Sequence, residues 1–218
     1  MFERKVHGDA ISVLKKRQMS KGDEVGFLAY LTIALSIIWV ASEARINVAR
    51  RPGASAAVDD RRSHRLLTIS TLVSIVLGLA IKLLADLLGG PGRIVLQSAS
   101  LGYVGCSLMV GGMALRWAAI ATLKDKFTVD VAIVQDHRIV DTGLYSVVRH
   151  PSYLGSLITF VGLGLAWENW LSLVLMIVLR LVATLYRISV EERVLVNHFG
   201  DAYQAYRKRT KGLVPGII

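Results

Sequence analysis

Cysteine is almost absent from this sequence, and proline is rare. Cys106 is the single cysteine among 218 residues, and it lies within an apolar stretch. One cysteine excludes both an intrachain disulfide framework and a zinc site built on cysteines, so we expect Cys106 to be a packing residue and predict no metal site. Only four prolines interrupt the chain, which permits long helices because proline breaks a helix interior.

Apolar residues are in excess, and they are gathered in long blocks. They make up 53% of the chain, against roughly 45–50% in soluble domains, and the mean hydropathy is +0.50. The net charge is +10, but the basic residues lie between and beside the apolar blocks. That distribution is typical of membrane-protein loops, whereas a nucleic-acid surface needs a clustered basic face. We predict a polytopic, all-α integral membrane protein that binds no nucleic acid.

The apolar blocks predict about five transmembrane helices, since a span needs roughly 17–25 apolar residues. The blocks cover residues 25–41, 66–88, 94–123, 151–167 and 170–187. Three spans therefore fall within 25–123. Residues 1–24 form either an amphipathic surface helix or a mobile tail. Residues 124–218 contain a polar segment, a helical hairpin and C-terminal amphipathic helices.

The distribution of Lys and Arg predicts the orientation. Five spans place the termini on opposite sides of the membrane. The side that holds the 42–65 loop, the 116–150 loop and the C-terminal tail is richer in basic residues than the side that holds Arg93 and the hairpin tip. The C-terminus is therefore predicted to be cytoplasmic. The basic residues of the N-terminal segment argue for the opposite orientation.

Two groups of polar residues lie at the ends of the hairpin formed by the last two blocks. In the run RHPSYLG at 149–155, Pro151 suits the first position of a helix. The backbone N–H groups of Ser152, Tyr153 and Leu154 would then be free to bind a carboxylate or phosphate. Arg149 and His150 precede this start and add positive charge or hydrogen-bonding capacity.

The second group is Arg187 and Glu191, one helical turn apart at the end of the last span. Only Glu168 and Asn169 connect the two apolar segments, so we predict an antiparallel hairpin. This hairpin returns Arg187 and Glu191 to the side of His150. Ionisable residues at a membrane boundary are functional candidates, although arginine snorkelling and a solvated glutamate pair would explain either group alone.

Two further patterns concern packing. Gly102, Gly105, Gly111 and Gly112 lie in the third block without a preceding strand, which favours close helix packing over a phosphate-binding loop. Beyond the last span, apolar residues recur at helical spacing and Gly200 is expected to end a helix. The tail is therefore predicted to fold back onto the membrane face. The recurring residues are Leu195, Phe199, Tyr203 and Tyr206.

From about Phe127 onward, the chain resembles a known family. The run RHPSYLG, followed by RISVEERVLVNHFGDAYQAYRKR and a terminal Val-Pro-Gly-Ile-Ile, closely resembles the isoprenylcysteine carboxyl methyltransferases, with the phospholipid methyltransferases as more distant relatives. In the earlier part the likeness extends only to helix count. The resemblance implies a membrane enzyme that uses S-adenosylmethionine without a Rossmann domain. Its acceptor would be lipophilic and enter from the bilayer, and residues 124–218 would form the methyltransferase core.

The resemblance also implies roles for individual residues. The family's His-x-(Leu/Ile)-Val run, which holds the cofactor, matches His137, Arg138, Ile139 and Val140. Further cofactor-binding positions match Tyr145, His150, Pro151, Ser152, Tyr153 and Glu191. Arg187 matches a residue implicated in substrate binding or catalysis, and Arg149 is a second catalytic candidate. Where the family has a glutamine upstream of the histidine, this chain has Asp130, with Gln135 nearby.

Other functions stay open at the level of sequence. The acceptor could be a prenylated cysteine carboxylate, a phospholipid or another small hydrophobic molecule. An NADPH-dependent membrane reductase of the same superfamily is the second enzyme hypothesis. A transporter or assembly factor without chemistry is the third, but the spans show no repeated halves, and the polar residues cluster at one interface rather than at mid-membrane.

Overall fold

The computed structural model describes residues 2–49, 58–89, 92, 100–123 and 139–214. The described chain is built from helices. They are α1 (Phe2–Ala49), α2 (Val58–Leu88), α3 (Ser100–Leu123), α4 (Pro151–Ala166), α5 (Trp170–Phe199) and α6 (Asp201–Arg209), with one 3-10 turn at Gly143–Ser146.

Within the described residues, four helices are long and apolar enough to cross a membrane. They contain the candidate spans Asp23–Val48 in α1, Arg62–Leu88 in α2, Ser100–Leu123 in α3 and Trp170–Phe199 in α5. Helix α4 is also apolar but has 16 residues, about 24 Å at 1.5 Å per residue, which is short for a hydrocarbon core of about 30 Å. The prediction of an all-α, multi-pass membrane protein is confirmed, with four long spans and one shorter helix.

Two of these helices extend beyond the predicted blocks. Helix α1 has 48 residues, about 72 Å in length, and runs without a break through the boundary expected at residue 24. Helix α5 continues past Arg187 to Phe199, because amphipathic sequence is as compatible with a helix as apolar sequence is. The predicted start of the third span, at residues 94–99, lies outside the described residues.

Helices α3 and α4 pack closely through glycine. A Cβ atom built on Gly112 would lie 2.6 Å from the Gly155 carbonyl oxygen, and one built on Gly105 would lie 2.6 Å from that of Gly162. No side chain fits at such distances, so the packing interpretation is confirmed for Gly105 and Gly112. It is wrong for Gly111, where a Cβ atom would meet open space.

Helices α2 and α5 are antiparallel. The Ser172 hydroxyl donates to the Gly78 carbonyl at 2.8 Å, and Arg187 Nη1 donates to Ser63 Oγ at 2.6 Å. The hairpin between α4 and α5 turns at Glu168, which has a φ of 52°. These pairings bring the C-terminal ends of α1, α3 and α5 and the N-terminal ends of α2 and α4 to one end of the bundle, which we call the site end.

The chain beyond α5 folds back onto this end of the bundle, and its predicted contact with the membrane face stays a prediction. Gly200, with a φ of 55°, ends α5. After α6, residues 210–213 form a segment that we call the C-terminal strap. The strap runs beside residues 147–150, where the Arg149 N–H donates to the Lys211 carbonyl at 2.8 Å and the His150 N–H to the Gly212 carbonyl at 3.1 Å. This pairing closes the site end.

Candidate active site

The two polar groups predicted from sequence meet at the site end. Tyr153 Oη, on the first turn of α4, donates to Glu191 Oε2 on α5 at 2.8 Å. Arg187 Nε donates to the same Tyr153 oxygen at 3.2 Å. Because a single hydroxyl joins both ends of the hairpin, the predicted convergence of these segments is confirmed.

The first turn of α4 differs in one respect from the prediction. Pro151 is its first residue, as expected, and His150 is the N-cap. However, the Tyr153 and Leu154 N–H groups both donate to the His150 carbonyl, at 3.1 and 3.2 Å. The prediction that these two groups are free for an anion is wrong, because the N-cap carbonyl already accepts from the first turn.

A cavity of about 320 Å³ opens among the helices at the site end. On α5 its wall runs from Arg180 to Phe199, about 28 Å along the helix axis. This is an elongated cavity rather than a round one. The residues of α1, α2 and α3 that line it are Trp39, Val40, Glu43, Ala44, Ile46, Asn47, His64, Leu67, Thr68, Thr71, Leu72, Ile75, Arg116 and Leu123.

Most of the predicted site residues lie on the wall of this cavity. The lining set includes Ile139, Val140, Tyr145, Arg149, His150, Ser152, Tyr153, Arg187 and Glu191. Pro151 is buried where it starts α4 and is not among the lining residues. His137 and Arg138, as well as Asp130 and Gln135, lie outside the described part of the chain.

Arg149 contacts the C-terminal strap. Its Nε donates to Glu192 Oε1 at 2.7 Å, and its Nη1 donates to the Thr210 carbonyl at 2.5 Å. Glu192 also lies 3.3 Å from His150 Nε2 and 3.2 Å from Arg207 Nε. The carboxylate thus links residues 149–150 to Arg207 of α6, and the Arg149 guanidinium is engaged by protein groups.

Three tyrosines close the cavity on the α6 side. Tyr206 Oη donates to the Tyr145 carbonyl at 2.6 Å, and both residues are buried, as is Tyr203. Burial raises the pKa of Tyr206 to about 12, although nearby Arg149 opposes the shift. Burial also raises the pKa of Tyr145 and Tyr203. All three therefore present neutral phenols to the cavity at neutral pH.

Sequence reasoning missed three charged residues of the cavity wall, which are Arg116, Glu43 and Arg180. Arg116 on α3 donates from Nε and Nη2 to the two oxygens of Glu43 on α1, at 2.5 and 2.8 Å. It also donates from Nη1 to the Ser152 carbonyl at 3.2 Å, which ties α1 and α3 to the start of α4. Arg180 is the third. The available signal was a single ionisable residue in or beside an apolar block.

The cavity combines two environments along its length. Glu191, His150 and the tyrosines face its end near α6, whereas Leu72 and Ile75 of α2 face its end within the spans. Arg187 lies between them. Such a cavity can hold a polar molecule against an amphipathic one, with the arginine near their junction.

Comparisons with known proteins relate the chain to membrane methyltransferases. The family described as phospholipid methyltransferase matches residues 101–202. The chain is 35% identical over 125 residues to a protein-S-isoprenylcysteine O-methyltransferase of Schizosaccharomyces pombe, covering 56% of this chain and 51% of that protein. It is 27% identical over 197 residues to protein-S-isoprenylcysteine O-methyltransferase B of Arabidopsis thaliana, covering 89% and 96%.

A solved structure shares the fold. The eukaryotic intramembrane Ras methyltransferase, an isoprenylcysteine carboxyl methyltransferase, superposes with a TM-score of 0.54 at 24% identity, covering 67% of this chain and 52% of that one. The chain spans about half the length of the first curated relatives it matches, such as the Saccharomyces cerevisiae protein, of which it covers 48%.

Proposed function

We propose that this chain is an integral membrane methyltransferase that uses S-adenosylmethionine and methylates the carboxylate of an isoprenylcysteine-like lipophilic acceptor, which its similarity to protein-S-isoprenylcysteine O-methyltransferases supports. The observation that carries the proposal is the single cavity that Tyr153, Arg187 and Glu191 share. A hydrophobic lining beside a few convergent polar groups is typical of small-molecule sites.

The residues at the α6 end fit the methyl donor. S-adenosylmethionine carries an ammonium, a sulfonium and a carboxylate, and it supplies an electrophilic methyl group when bound. Glu191 offers a carboxylate for a cationic group, and buried Tyr145 offers an aromatic wall. A cavity of about 320 Å³ lies within the range of roughly 300–1,000 Å³ usual for ligand sites. We assign Ile139, Val140, His150 and Ser152 to the same cofactor wall.

Arg187 is the residue we assign to the acceptor. Its guanidinium is fixed by Ser63 and Tyr153, and a planar fork suits a carboxylate. Methyl transfer to an existing anion needs little acid–base chemistry, so holding the two reactants in line supplies most of the rate. We assign Arg149 a positioning role, because its contacts to Glu192 and Thr210 secure the strap.

The two reactants would enter by different routes. Val40 and Leu72 line the cavity and are exposed on the surface of the spans, which fits an acceptor that enters from lipid. The site end also carries exposed basic residues, which supports a cytoplasmic site and C-terminus by the positive-inside rule. These residues are Arg45, Arg62, Arg65, Arg193, Arg207, Lys208, Arg209 and Lys211.

A phospholipid amine is the other acceptor that the family match suggests. Buried cations at Arg180 and Arg187 disfavour a cationic headgroup amine, because like charges in a buried site repel. The carboxylate is therefore the acceptor that the cavity favours.

The proposal is tested with full-length protein in nanodiscs. We expect binding of S-adenosylhomocysteine by calorimetry, and transfer of a radiolabelled methyl group to an N-acetylated S-prenylcysteine but not to phosphatidylethanolamine. Glu191→Gln should weaken S-adenosylhomocysteine binding, whereas Glu24→Gln, on an exposed part of α1, should not. Binding of NADPH in place of S-adenosylhomocysteine, or labelling of the phospholipid alone, would refute the proposal.

A further inference from the structure

The three buried arginines of the described chain differ in how their charge is balanced. All three line the cavity: Arg116, Arg180 and Arg187. A buried ion is costly unless another charge compensates it. Arg116 is paired with both oxygens of Glu43, and Arg187 is joined to Glu191 through the Tyr153 hydroxyl.

Arg180 contacts only uncharged groups among the residues that the structure describes. It is 2% exposed. Its Nη1 donates to the Leu67 carbonyl at 3.2 Å and to Thr71 Oγ1 at 2.6 Å, and its Nη2 donates to Ser156 Oγ at 2.8 Å. The Phe160 ring lies 5.4 Å from the guanidinium, and the buried Nε–H group has no hydrogen-bond partner within the described part of the chain.

The nearby carboxylate does not neutralise this charge. Glu43 acts electrostatically on Arg180, but so does Arg116, with the opposite sign. Because Glu43 is held by two hydrogen bonds from Arg116, the three residues together carry one positive charge that no other described residue is seen to pair with. That charge lies beside the cavity, in a span.

The position of Arg180 restricts what could compensate it. Arg180 precedes Arg187 by seven residues on α5, about 10 Å along the axis, towards the part of the cavity that Leu72 and Ile75 line. Arg180 and Arg187 both line the cavity, so both cations face the same region. An anion that reaches this apolar region must belong to a largely lipophilic molecule.

We infer that Arg180 supplies the unbalanced positive charge that selects and holds the acceptor's carboxylate, with Arg187 orienting the group for reaction. The inference rests on the proposed function. In the reaction, a carboxylate oxygen forms a bond to the methyl carbon while the sulfur–carbon bond breaks. The anion becomes a neutral methyl ester and the sulfonium becomes a neutral sulfide. The ester no longer balances Arg180, so the product binds more weakly than the substrate and leaves to the lipid.

The test compares a charged ligand with a neutral one of nearly the same shape. Full-length protein in nanodiscs is titrated with an N-acetylated S-prenylcysteine and with its primary carboxamide, with and without S-adenosylhomocysteine. The wild type should prefer the carboxylate by roughly 10- to 100-fold, the range for a hydrogen-bonded charge. Arg180→Gln should lower that ratio towards one, leaving only the part that Arg187 contributes, and the methyl ester should bind to the wild type like the carboxamide.

Two further variants separate this role from a structural one. Arg65→Gln removes an exposed positive charge at the same end and should keep the full preference. Arg180→Lys keeps the charge without the planar fork, so it should still prefer the carboxylate over the carboxamide, at lower affinity. If Arg180→Gln does not fold, the test rests on this lysine variant. A wild type without preference, an Arg180→Gln protein with the wild-type ratio, or a folded Arg180→Lys protein with no preference would overturn the inference.

A failure of the proposed function would be visible in a different measurement from a failure of the Arg180 inference. Absence of S-adenosylhomocysteine binding in the wild type would count against the methyltransferase assignment. The carboxylate preference measured without that ligand would still test Arg180.

Discussion

Replacing Tyr153 with phenylalanine tests the connection between the two ends of the hairpin. The Tyr153 hydroxyl donates to Glu191 and accepts from Arg187, so its removal deletes both bonds while the ring keeps its volume. Arg187 is 1% exposed, and water cannot easily replace the lost partner of its Nε. We expect Tyr153→Phe to leave a buried charged group incompletely bonded.

The size of the expected effect of Tyr153→Phe follows from the burial of Arg187. Leaving a buried polar group unsatisfied costs about 1–3 kcal/mol, which corresponds to a factor of roughly 5 to 150 in an equilibrium or rate constant. If Glu191 and Arg187 hold the two reactants, the loss should appear as weaker S-adenosylhomocysteine binding and as lower kcat/KM for the prenylcysteine. Calorimetry and a radiolabelled methyl-transfer assay measure the two quantities.

The control is Tyr30→Phe, which removes the same hydroxyl from an exposed position on α1 and should change neither quantity. A Tyr153→Phe protein that binds and turns over like the wild type would refute the assignment of a functional link through this hydroxyl. Equal losses in both tyrosine variants would point to a general effect on the membrane-embedded fold.

Three other perturbations have defined outcomes. Gly112→Val should prevent stable folding of the helix bundle, because its Cβ would lie 2.6 Å from the Gly155 carbonyl oxygen, whereas Gly111→Val, whose Cβ lies in open space, should behave like the wild type. Size-exclusion chromatography and thermal unfolding compare the two variants, and equal behaviour would contradict the packing interpretation. Arg149→Gln removes the side-chain bonds of Arg149 to Glu192 and Thr210 and should release the C-terminal strap, which limited proteolysis would show as faster cleavage after residue 200. Arg193→Gln, at an exposed position, should leave the cleavage rate unchanged, and an unchanged rate in Arg149→Gln would refute this role. Because the pKa of Tyr206 is raised to about 12 in the folded state from 10.0, its contribution to stability is complete below pH 10 and is lost as the pH rises towards 12. The melting temperature should fall across that window, less steeply in Tyr206→Phe, and a rise would contradict the sign.

Much of the fold could be predicted because its signals are local. Apolar runs long enough to span a bilayer identify helices without knowledge of their neighbours, and the two-residue break at Glu168 and Asn169 permits only a tight turn. The hairpin in turn predicts that Arg187 and Glu191 return to Tyr153, which they do at hydrogen-bonding distance. The roles of His137 and Arg138, and the side of the membrane on which the C-terminus lies, stay predictions.

Partners that are distant in the chain could not be predicted in the same way. Arg116 and Glu43 are 73 residues apart, and no periodicity or spacing specifies which carboxylate a buried arginine will meet. Gly111 and Gly112 are identical residues next to each other in the sequence, yet only Gly112 faces α4. The rotation of a helix about its axis decides this, and that rotation is set by packing.

The sequence by itself determined that this protein is helical, crosses the membrane several times and brings the RHPSY run to the carboxylates after Arg187, because apolar length and a short turn act locally. Only the tertiary structure decided which charges balance one another. It paired Arg116 with Glu43, linked Arg187 to Glu191 and left Arg180 among uncharged groups, since the compensation of a buried charge depends on every helix that packs around it.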